Sequence, residues 1–238
     1  MVKGRLFLIP VTLGSSDYSY VIPGKVLTII RSLRVFIVED VRSARRFLRM
    51  IDPQFPIDDS IFIILNKHTT SEDIGKMLSH SSKGSDAGLM SEAGLPGVAD
   101  PGSNLVLQAH EGGIRVIPLC GPSSIFLALM SSGLNGQNFA FNGYLPINKA
   151  DRAREIKRLE KQARKGQSQI FMETPYRNMQ LLENITATLS HDILLCIAAS
   201  ISHKDEFIMT KPVSGWKREG LPDIDKKPAI FIIGEKHS

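Results

Sequence analysis

The sequence contains little cysteine, and this limits the chemistry open to it. Only Cys120 and Cys196 occur among 238 residues, and they form no CxxC pair. A disulfide framework or a cysteine-based zinc site is therefore unsupported. Each cysteine adjoins or lies within an apolar run, which predicts two buried thiols. The six histidines show no metal-ligand spacing either, so we expect no metal site.

Several nucleotide-binding and catalytic fingerprints are also missing. No GxGxxG follows the first predicted strand, which argues against a Rossmann dinucleotide enzyme and the commonest methyltransferase fold. The sequence has no Walker A motif and no GxSxG nucleophile elbow. These absences disfavour P-loop nucleotide hydrolysis and α/β-hydrolase chemistry.

Long hydrophobic runs are absent as well. The first apolar segment, Leu6–Ile9, stops at Pro10 and is too short for a signal peptide, and no run approaches the length of a membrane span. The sequence therefore predicts a cytoplasmic protein with no membrane partner. Its net charge of +5 permits an anionic partner such as RNA without requiring one.

Short apolar runs alternate with helix-length amphipathic segments, which is typical of an α/β protein. Strands are predicted near Leu6–Ile9, Val35–Val38, Ile61–Leu65, Gly88–Met90 and Val116–Leu119, and later at Gln169–Met172, Ile193–Ala198, Phe207–Thr210 and Ala229–Ile233. Helices are predicted between them, with Ser43 capping the second one and Asp151 capping one that runs to about Lys165. We expect two α/β domains, residues 1–119 with a largely parallel sheet and residues 120–238 with a mixed sheet.

Two loops are candidate ligand sites because each follows a strand and precedes a helix. Ser91–Gly102 carries three glycines and two prolines, so its backbone can approach a ligand closely at the carboxyl edge of the sheet. Gly121–Ser124 begins another helix, whose free N–H groups suit a carboxylate. A structural connection remains the alternative for the first loop, and simple helix capping for the second.

Three charged segments are candidates for chemistry. Glu39, Asp40 and Arg42 follow the second strand and include a possible base, although a helix-start charge pattern explains them equally well. Glu173–Arg177 combines an acid, an aromatic and a guanidinium in one turn, for which a structural Glu–Arg pair is the alternative. The helix from Asp151 carries seven basic residues, which supports binding to RNA phosphates, although most such charge runs are only solvated surface.

Taken in order, five segments resemble motifs of the tetrapyrrole methylase superfamily (class III S-adenosylmethionine-dependent methyltransferases), and within it the branch that methylates ribose 2′-hydroxyls of small-subunit ribosomal RNA. They are Ser91–Gly102, Cys120–Ser124, Ser132–Leu134, Gly143–Pro146 followed by Arg152, and Glu173–Arg177. The resemblance covers nearly the whole chain and is strongest from Ala87 to Arg177.

The resemblance implies an S-adenosylmethionine-dependent methyltransferase of ribosomal RNA, with a cofactor cleft between two α/β domains and usually a homodimer. By position it implies the cofactor-binding residues Pro10, Ala93, Gly94, Leu95, Pro96, Val98, Gly121, Pro122, Ser123 and Ser124. On the substrate side we expect Arg152, Glu173, Arg177 and Lys204 to bind RNA. Asp40 or Glu39, with Arg42 beside them, would act on the ribose hydroxyl.

The chain departs from the branch mainly on the substrate side. Val41 replaces a threonine after Glu39-Asp40, and Ser200–Lys204 lacks an acid that the branch carries. The turn after Pro10 is also altered. These departures leave two alternatives open, namely methylation of a tetrapyrrole or other small metabolite, and RNA binding without catalysis. A different nucleotide-binding enzyme is the remaining, less favoured alternative.

Overall fold

The computed structural model describes residues 3–236 of the chain. It contains two compact units, Met1–Ser123 and Ser124–Ser238. The sequence places the division after residue 119, and the structure places it after Ser123. None of the helices among the described residues is long and apolar enough to cross a membrane.

The first unit is a parallel sheet with helices on both faces. Its strands are β1 (Arg5–Ile9), β2 (Val35–Val38), β3 (Ile61–Ile64), β4 (Ala87–Met90) and β5 (Arg115–Pro118). Its helices are α1 (Gly24–Ser32), α2 (Val41–Ile51), α3 (Ser71–Met77), α4 (Ser79–Ser82) and α5 (Gly102–Glu111). The strand order is β3-β2-β4-β1-β5, and every pairing is parallel. The predicted parallel sheet is confirmed.

Two hydrophobic clusters explain why these strands read as continuous apolar runs. Along β2, Phe36 and Val38 pack with α1 and α2, whereas Val35 and Ile37 pack with α3 and α5 on the opposite face. A strand covered on both faces has no polar side to display, so alternation is lost.

The second unit has a mixed sheet, as the sequence predicts. Its strands are β6 (Phe139–Tyr144), β7 (Ser168–Met172), β8 (Leu194–Ala199), β9 (Phe207–Pro212) and β10 (Ala229–Gly234). Its helices are α6 (Ser124–Ser132), α7 (Lys149–Ala163), α8 (Asn178–Thr188) and α9 (Val213–Glu219), with a 3₁₀ turn at Pro175–Arg177. In the order β6-β7-β10-β8-β9, only β6 and β7 are parallel.

Two elements of this unit escape the sequence pattern. Strand β6 contains Asn142 and Gly143, and a register shift between Phe141 and Tyr144 interrupts its pairing with β7. Helix α9 has only seven residues and contains Gly215, but the buried Trp216 anchors it by donating a hydrogen bond from Nε1 to the Leu195 carbonyl at 2.9 Å. Turn-forming residues in a strand and a short helix give weak local signals.

Three local predictions are wrong. Cys120 is exposed, because it follows the end of edge strand β5; Cys196 is buried as predicted. Helix α2 is capped by Asp40, whose Oδ1 accepts the Ser43 N–H at 2.7 Å, so Ser43 is the recipient and not the cap. Helix α7 is capped by Asn148, whose Oδ1 accepts the N–H groups of Ala150 at 2.9 Å and Asp151 at 3.2 Å.

The Asn148 cap allows a direct stability test. We expect Asn148→Ala to lower the free energy of unfolding by about 1 kcal/mol, because the first N–H groups of α7 lose their acceptor. Asp151→Ala should cost only a few tenths of a kcal/mol, since an exposed acid in the first turn acts mainly on the helix dipole. Urea unfolding of the full chain measures both, and equal losses would contradict the Asn148 cap.

Candidate functional site: cofactor loops and charged clusters

Three loops of the first unit come together at the carboxyl edge of its sheet. They follow β4, β1 and β5, which are neighbours in the sheet with β1 in the middle. The backbone N–H of Val11, after β1, donates to the Gly94 carbonyl in the loop after β4 at 3.0 Å. Ligands of open α/β sheets bind at this edge. Pro10, Ala93–Val98 and Gly121–Ser123 are thereby brought into one region of the first unit.

Glycine permits the closest of these approaches. A Cβ placed on Gly121 would lie 2.1 Å from Cβ of Pro10, so the strand end after β1 and the loop after β5 can touch only because residue 121 has no side chain. Gly94 adopts φ +70° and lies close to the Pro122 carbonyl. The three loops therefore form a narrow, backbone-lined cradle. A region lined by backbone at the carboxyl edge of the sheet can admit a cofactor that carries both a charged amino-acid end and a nucleoside.

Asp100 holds the loop after β4 in shape. Its carboxylate accepts the Gly97 N–H at 2.8 and 2.9 Å and the Gly102 N–H at 2.8 Å. Gly97 and the non-glycine Ala99 both lie in the left-handed region, at φ 81° and 61°. A left-handed alanine is strained and persists only where its surroundings enforce it. The hydrogen bonds of Asp100 to Gly97 and Gly102 hold Ala99 in this conformation. In the same loop, Pro96 is buried and Val98 is 45% exposed.

Glu39, at the end of β2, occupies an unusual electrostatic position. Burial raises the pKa of its carboxyl group, and the neighbouring carboxylates of Asp100 and Glu92 raise it further, against a hydrogen bond from the Glu92 N–H. Burial likewise raises the pKa of Asp100, although its hydrogen bonds from Gly102 and Gly97 act in the opposite direction. A carboxylate that binds a proton more readily than usual is a better general base.

The surroundings of Asp40 and Arg42 differ from those of Glu39. The N–H of Ser43 hydrogen-bonds the Asp40 carboxylate and lowers its pKa, and the Arg42 charge lowers it further. A carboxylate engaged as a helix cap is a weaker base than a free one. The Arg42 side chain is exposed in the first turn of α2. Asp40 is therefore the N-cap of α2, which is one of the two roles that the sequence leaves open. Its carboxylate binds a proton less readily than that of Glu39, because the pKa of Asp40 is lowered and that of Glu39 is raised.

In the second unit, Glu173 and Arg177 form the ion pair that the sequence offers as an alternative to catalysis. Glu173 Oε1 lies 2.6 Å from Arg177 Nη2 and also accepts the Thr174 N–H at 2.7 Å. Glu173 is buried, whereas the Arg177 side chain is 36% exposed. Tyr144 lies near enough to Arg177 to influence the pKa of its guanidinium, which Glu173 raises most strongly. Tyr144 belongs to the Gly143–Pro146 motif, but the sequence analysis does not predict it as a site residue.

Arg152 and Lys204 differ sharply in accessibility. Arg152 is 1% exposed, and its Nη1 donates to the Ile147 carbonyl at 3.3 Å, so it supports the turn before α7. It is not exposed to an RNA substrate in this structure. Lys204 is exposed in the turn after β8, between the left-handed Ser202 and β9.

The basic face of α7 is largely neutralised within the second unit. Ion pairs join Arg154 to Asp151, Lys157 to Glu160, Arg158 to Glu155, and Arg164 to Asp192 and Glu235. Of the basic residues exposed along this helix and just after it, Lys149, Lys161 and Lys165 have no ion pair to another described residue. This face is therefore a weaker argument for RNA binding than its sequence indicates.

The chain is similar to known methyltransferases in sequence and in fold. It is 29% identical to the ribosomal RNA small subunit methyltransferase I of Escherichia coli O157:H7, over 99% of this chain and 79% of that protein. It is 28% identical to the protein of the same name from Pseudomonas aeruginosa, over 90% of this chain and 72% of that one. The crystal structure of a cobalamin biosynthetic enzyme, cobalt precorrin-4 methyltransferase, shares the fold with a TM-score of 0.62 at 15% identity, covering 97% and 94% of the two chains. No family model matches the chain.

Proposed function

We propose that the chain is a member of the tetrapyrrole methylase superfamily and an S-adenosylmethionine-dependent methyltransferase that modifies a ribose 2′-hydroxyl of small-subunit ribosomal RNA. The similarity to ribosomal RNA small subunit methyltransferase I over 99% of the chain carries the proposal. S-adenosylmethionine, when bound, supplies an electrophilic methyl group. The protein must then align the hydroxyl behind that methyl carbon and exclude water.

The cradle of the first unit supplies the proposed cofactor residues. Pro10, the Ala93–Pro96 segment with Val98, and Gly121–Ser123 would bind the cofactor, and Ser124 at the start of α6 would complete the set. The close approach at Pro10 and Gly121 and the Val11–Gly94 hydrogen bond support this assignment, because they bring the backbones of the three loops together.

Glu39 is the proposed general base. A ribose hydroxyl is a poor nucleophile at neutral pH, so a nearby acceptor for its proton accelerates attack. The raised pKa of Glu39 favours this role, and the capping bond of Asp40 disfavours it for that neighbour. Glu39 would take the proton of the ribose hydroxyl as the methyl group passes from the sulfonium sulfur to the ribose oxygen, and the sulfur would leave as a neutral thioether.

The proposed phosphate contacts are the exposed Arg42 and Lys204 and the half-buried Arg177, which Glu173 would orient through their 2.6 Å ion pair. Arg152 would act indirectly, by holding the turn before α7. We also propose a homodimer that acts in the cytoplasm on the small ribosomal subunit. Size-exclusion chromatography with light scattering tests the dimer.

Binding and transfer can be tested with one matched pair of variants. We expect micromolar binding of S-adenosylmethionine by calorimetry, and methyl transfer to small ribosomal subunits that lack the modification. Ala93→Arg should abolish both, because Ala93 is exposed in the cradle and an arginine there fills the cofactor space. Ala150→Arg, at an exposed alanine of α7, should change neither.

Each part of the proposal has its own contrary result. No binding of the cofactor by the folded wild-type protein would overturn the enzymatic proposal. Transfer to a small-molecule acceptor, with none to ribosomal subunits, would overturn the RNA assignment alone.

A further inference from the structure

We propose that a cavity of the first unit, which shares only the loop after β4 with the cradle, binds one nucleotide of the RNA substrate next to the nucleotide that is methylated. The inference rests on the proposed function and extends it to a substrate subsite. The cavity lies between the turn after β3 and the segment that joins the β4 loop to α5. Its volume is about 620 Å³. That volume falls within the roughly 300–1,000 Å³ typical of sites for small ligands.

The position of the cavity relates it to the reaction. In the sheet order β3-β2-β4, strand β2 lies between the two strands whose loops form the cavity walls. Glu39 ends β2, and Asp100, which lines the cavity, is close enough to raise the Glu39 pKa. The cavity also shares the loop of residues 91–102 with the proposed cofactor cradle. An RNA strand whose reacting ribose meets Glu39 would therefore place a neighbouring nucleotide here.

The cavity carries polar groups that lack partners. Among residues 3–236, no hydrogen bond or ion pair occupies the side chain of Lys67, Ser103 or Asn104, and all three are exposed. Lys67 is the one ammonium group among the described lining residues. A flexible, unpaired ammonium suits a phosphate, while amide and hydroxyl groups suit ribose and base edges.

The first wall of the cavity is a fixed turn. The Asn66 N–H donates to Thr69 Oγ1 at 2.9 Å, the Thr69 N–H donates to the Asn66 carbonyl at 3.0 Å, and Asn66 Oδ1 accepts the His68 N–H at 2.8 Å. These bonds hold the backbone of the turn so that Lys67 stands at its tip. A preorganised turn reduces the entropy lost when a ligand binds.

The second wall is the strained segment. Gly97 and Ala99, whose backbones both adopt the left-handed conformation, line the cavity together with Asp100. Strain of this kind persists at ligand-binding sites because the shape it creates is needed there. Asp100 keeps acceptor capacity beyond its bonds from Gly97 and Gly102, which suits a ribose hydroxyl. The Lys67 ammonium group at the first wall and the Asp100 carboxylate at the second match the phosphate and the hydroxyl group of a ribose-phosphate unit.

Substitutions at Lys67 and Asn104 test the subsite. Unmodified small ribosomal subunits are the probe, measured both for binding and for methyl transfer at saturating S-adenosylmethionine. We expect Lys67→Ala and Asn104→Ala to raise the KM and the Kd for subunits by roughly tenfold, the effect of losing one charge-assisted or bidentate contact. Lys67→Glu should have a larger effect. The Kd for S-adenosylmethionine should stay within about twofold of wild type, because Lys67 and Asn104 lie outside the three loops of the cradle.

Salt dependence separates a phosphate contact from a general defect. Loss of one phosphate contact should make the slope of log binding constant against log salt concentration less steep by about 0.7 to 0.9 in Lys67→Ala. Lys83→Ala is the matched control. Lys83 is another exposed lysine of the first unit without a side-chain partner among residues 3–236, but it lies before β4, at the amino edge of the sheet. It should leave the slope and both constants unchanged.

Two results would overturn the subsite. One is wild-type subunit binding, KM and salt slope in both Lys67→Ala and Asn104→Ala. The other is a large loss of S-adenosylmethionine affinity in these variants, which would assign the cavity to the cofactor. A wild-type protein that binds subunits without methylating them would count against the proposed function alone, because the binding comparison needs no transfer step.

Discussion

Glu39→Gln should reduce methyl transfer to small ribosomal subunits by about 10²- to 10⁴-fold, the range for loss of a general base. Glutamine keeps the size of the side chain and removes its ability to take a proton. The affinity for S-adenosylmethionine should remain close to wild type, since Glu39 is not among the cradle residues. The loss should therefore appear in the rate constant for methyl transfer, measured under single-turnover conditions. Calorimetry measures the Kd for the cofactor.

The neighbouring carboxylate provides the control. Asp40→Asn keeps an N-cap of comparable strength for α2, so stability and activity should both stay near wild type. Asp40→Ala removes the cap and should lower stability by about 1 kcal/mol, with activity falling only as far as folding does. Full activity in Glu39→Gln, or a large loss of kcat in Asp40→Asn with its fold intact, would contradict the assignment of Glu39 as the general base.

The pH dependence follows from the direction of the Glu39 pKa. The base must be deprotonated, so activity should fall as the pH decreases through the raised pKa of Glu39. Asp100→Asn removes a negative charge near Glu39, which lowers that pKa and shifts the acid limb of the kcat profile to lower pH. A purely structural role of Asp100 would lower activity at every pH without moving the limb.

The same pKa has a consequence for stability. An acid whose pKa is higher in the folded state than in the unfolded state favours folding when it is protonated. The Glu39 contribution is therefore fully present below its ordinary pKa and is lost as the pH rises through the raised one. Glu39→Gln should unfold at a higher temperature than wild type near neutral pH. The difference should vanish in acid, where both side chains are neutral.

Sequence reasoning reached the architecture because both sheets are built on apolar runs that stand out from their surroundings. It missed β6 and α9, whose stability depends on pairing with β7 and on the burial of Trp216, both of which are tertiary contacts. Both helix caps were predicted three residues too late for a similar reason. Asp40, Ser43, Asn148 and Asp151 are all competent capping residues, and only the backbone geometry selects among them.

For the site, the order of the motifs along the chain indicated the family resemblance, but it did not predict the chemical roles of individual residues. The Asp-Pro-Gly sequence at residues 100–102 was visible, yet nothing local shows that Asp100 binds Gly97 and also faces Glu39. The seven basic residues around α7 suggested a cationic surface, but three of them pair with acids of the same helix. Arg164 pairs with Asp192 and Glu235, which are distant in sequence. Electrostatic roles depend on which groups the fold brings together, and composition alone does not contain that information.

Gly121→Ala should weaken S-adenosylmethionine binding by about ten- to a hundredfold, corresponding to the roughly 1–3 kcal/mol cost of inserting a methyl group into a packed contact. The added Cβ would lie 2.1 Å from Pro10 Cβ and 2.5 Å from Pro10 Cγ, and a proline ring cannot rotate away. Pro10 must move, and Val11, bonded to the Gly94 carbonyl at 3.0 Å, carries the shift to the loop after β4. Calorimetry with S-adenosylmethionine measures the loss.

Two further variants show whether contact with Pro10 causes that loss. Gly24→Ala, at the start of α1, adds a methyl group with no atom within 4 Å and should bind the cofactor normally. Pro10→Gly combined with Gly121→Ala removes the ring that the new methyl group meets. If steric conflict is the cause, the double variant should bind more tightly than the two single changes predict by addition. Additive losses, or wild-type affinity in Gly121→Ala, would mean that the close approach of these two loops does not shape the cofactor site.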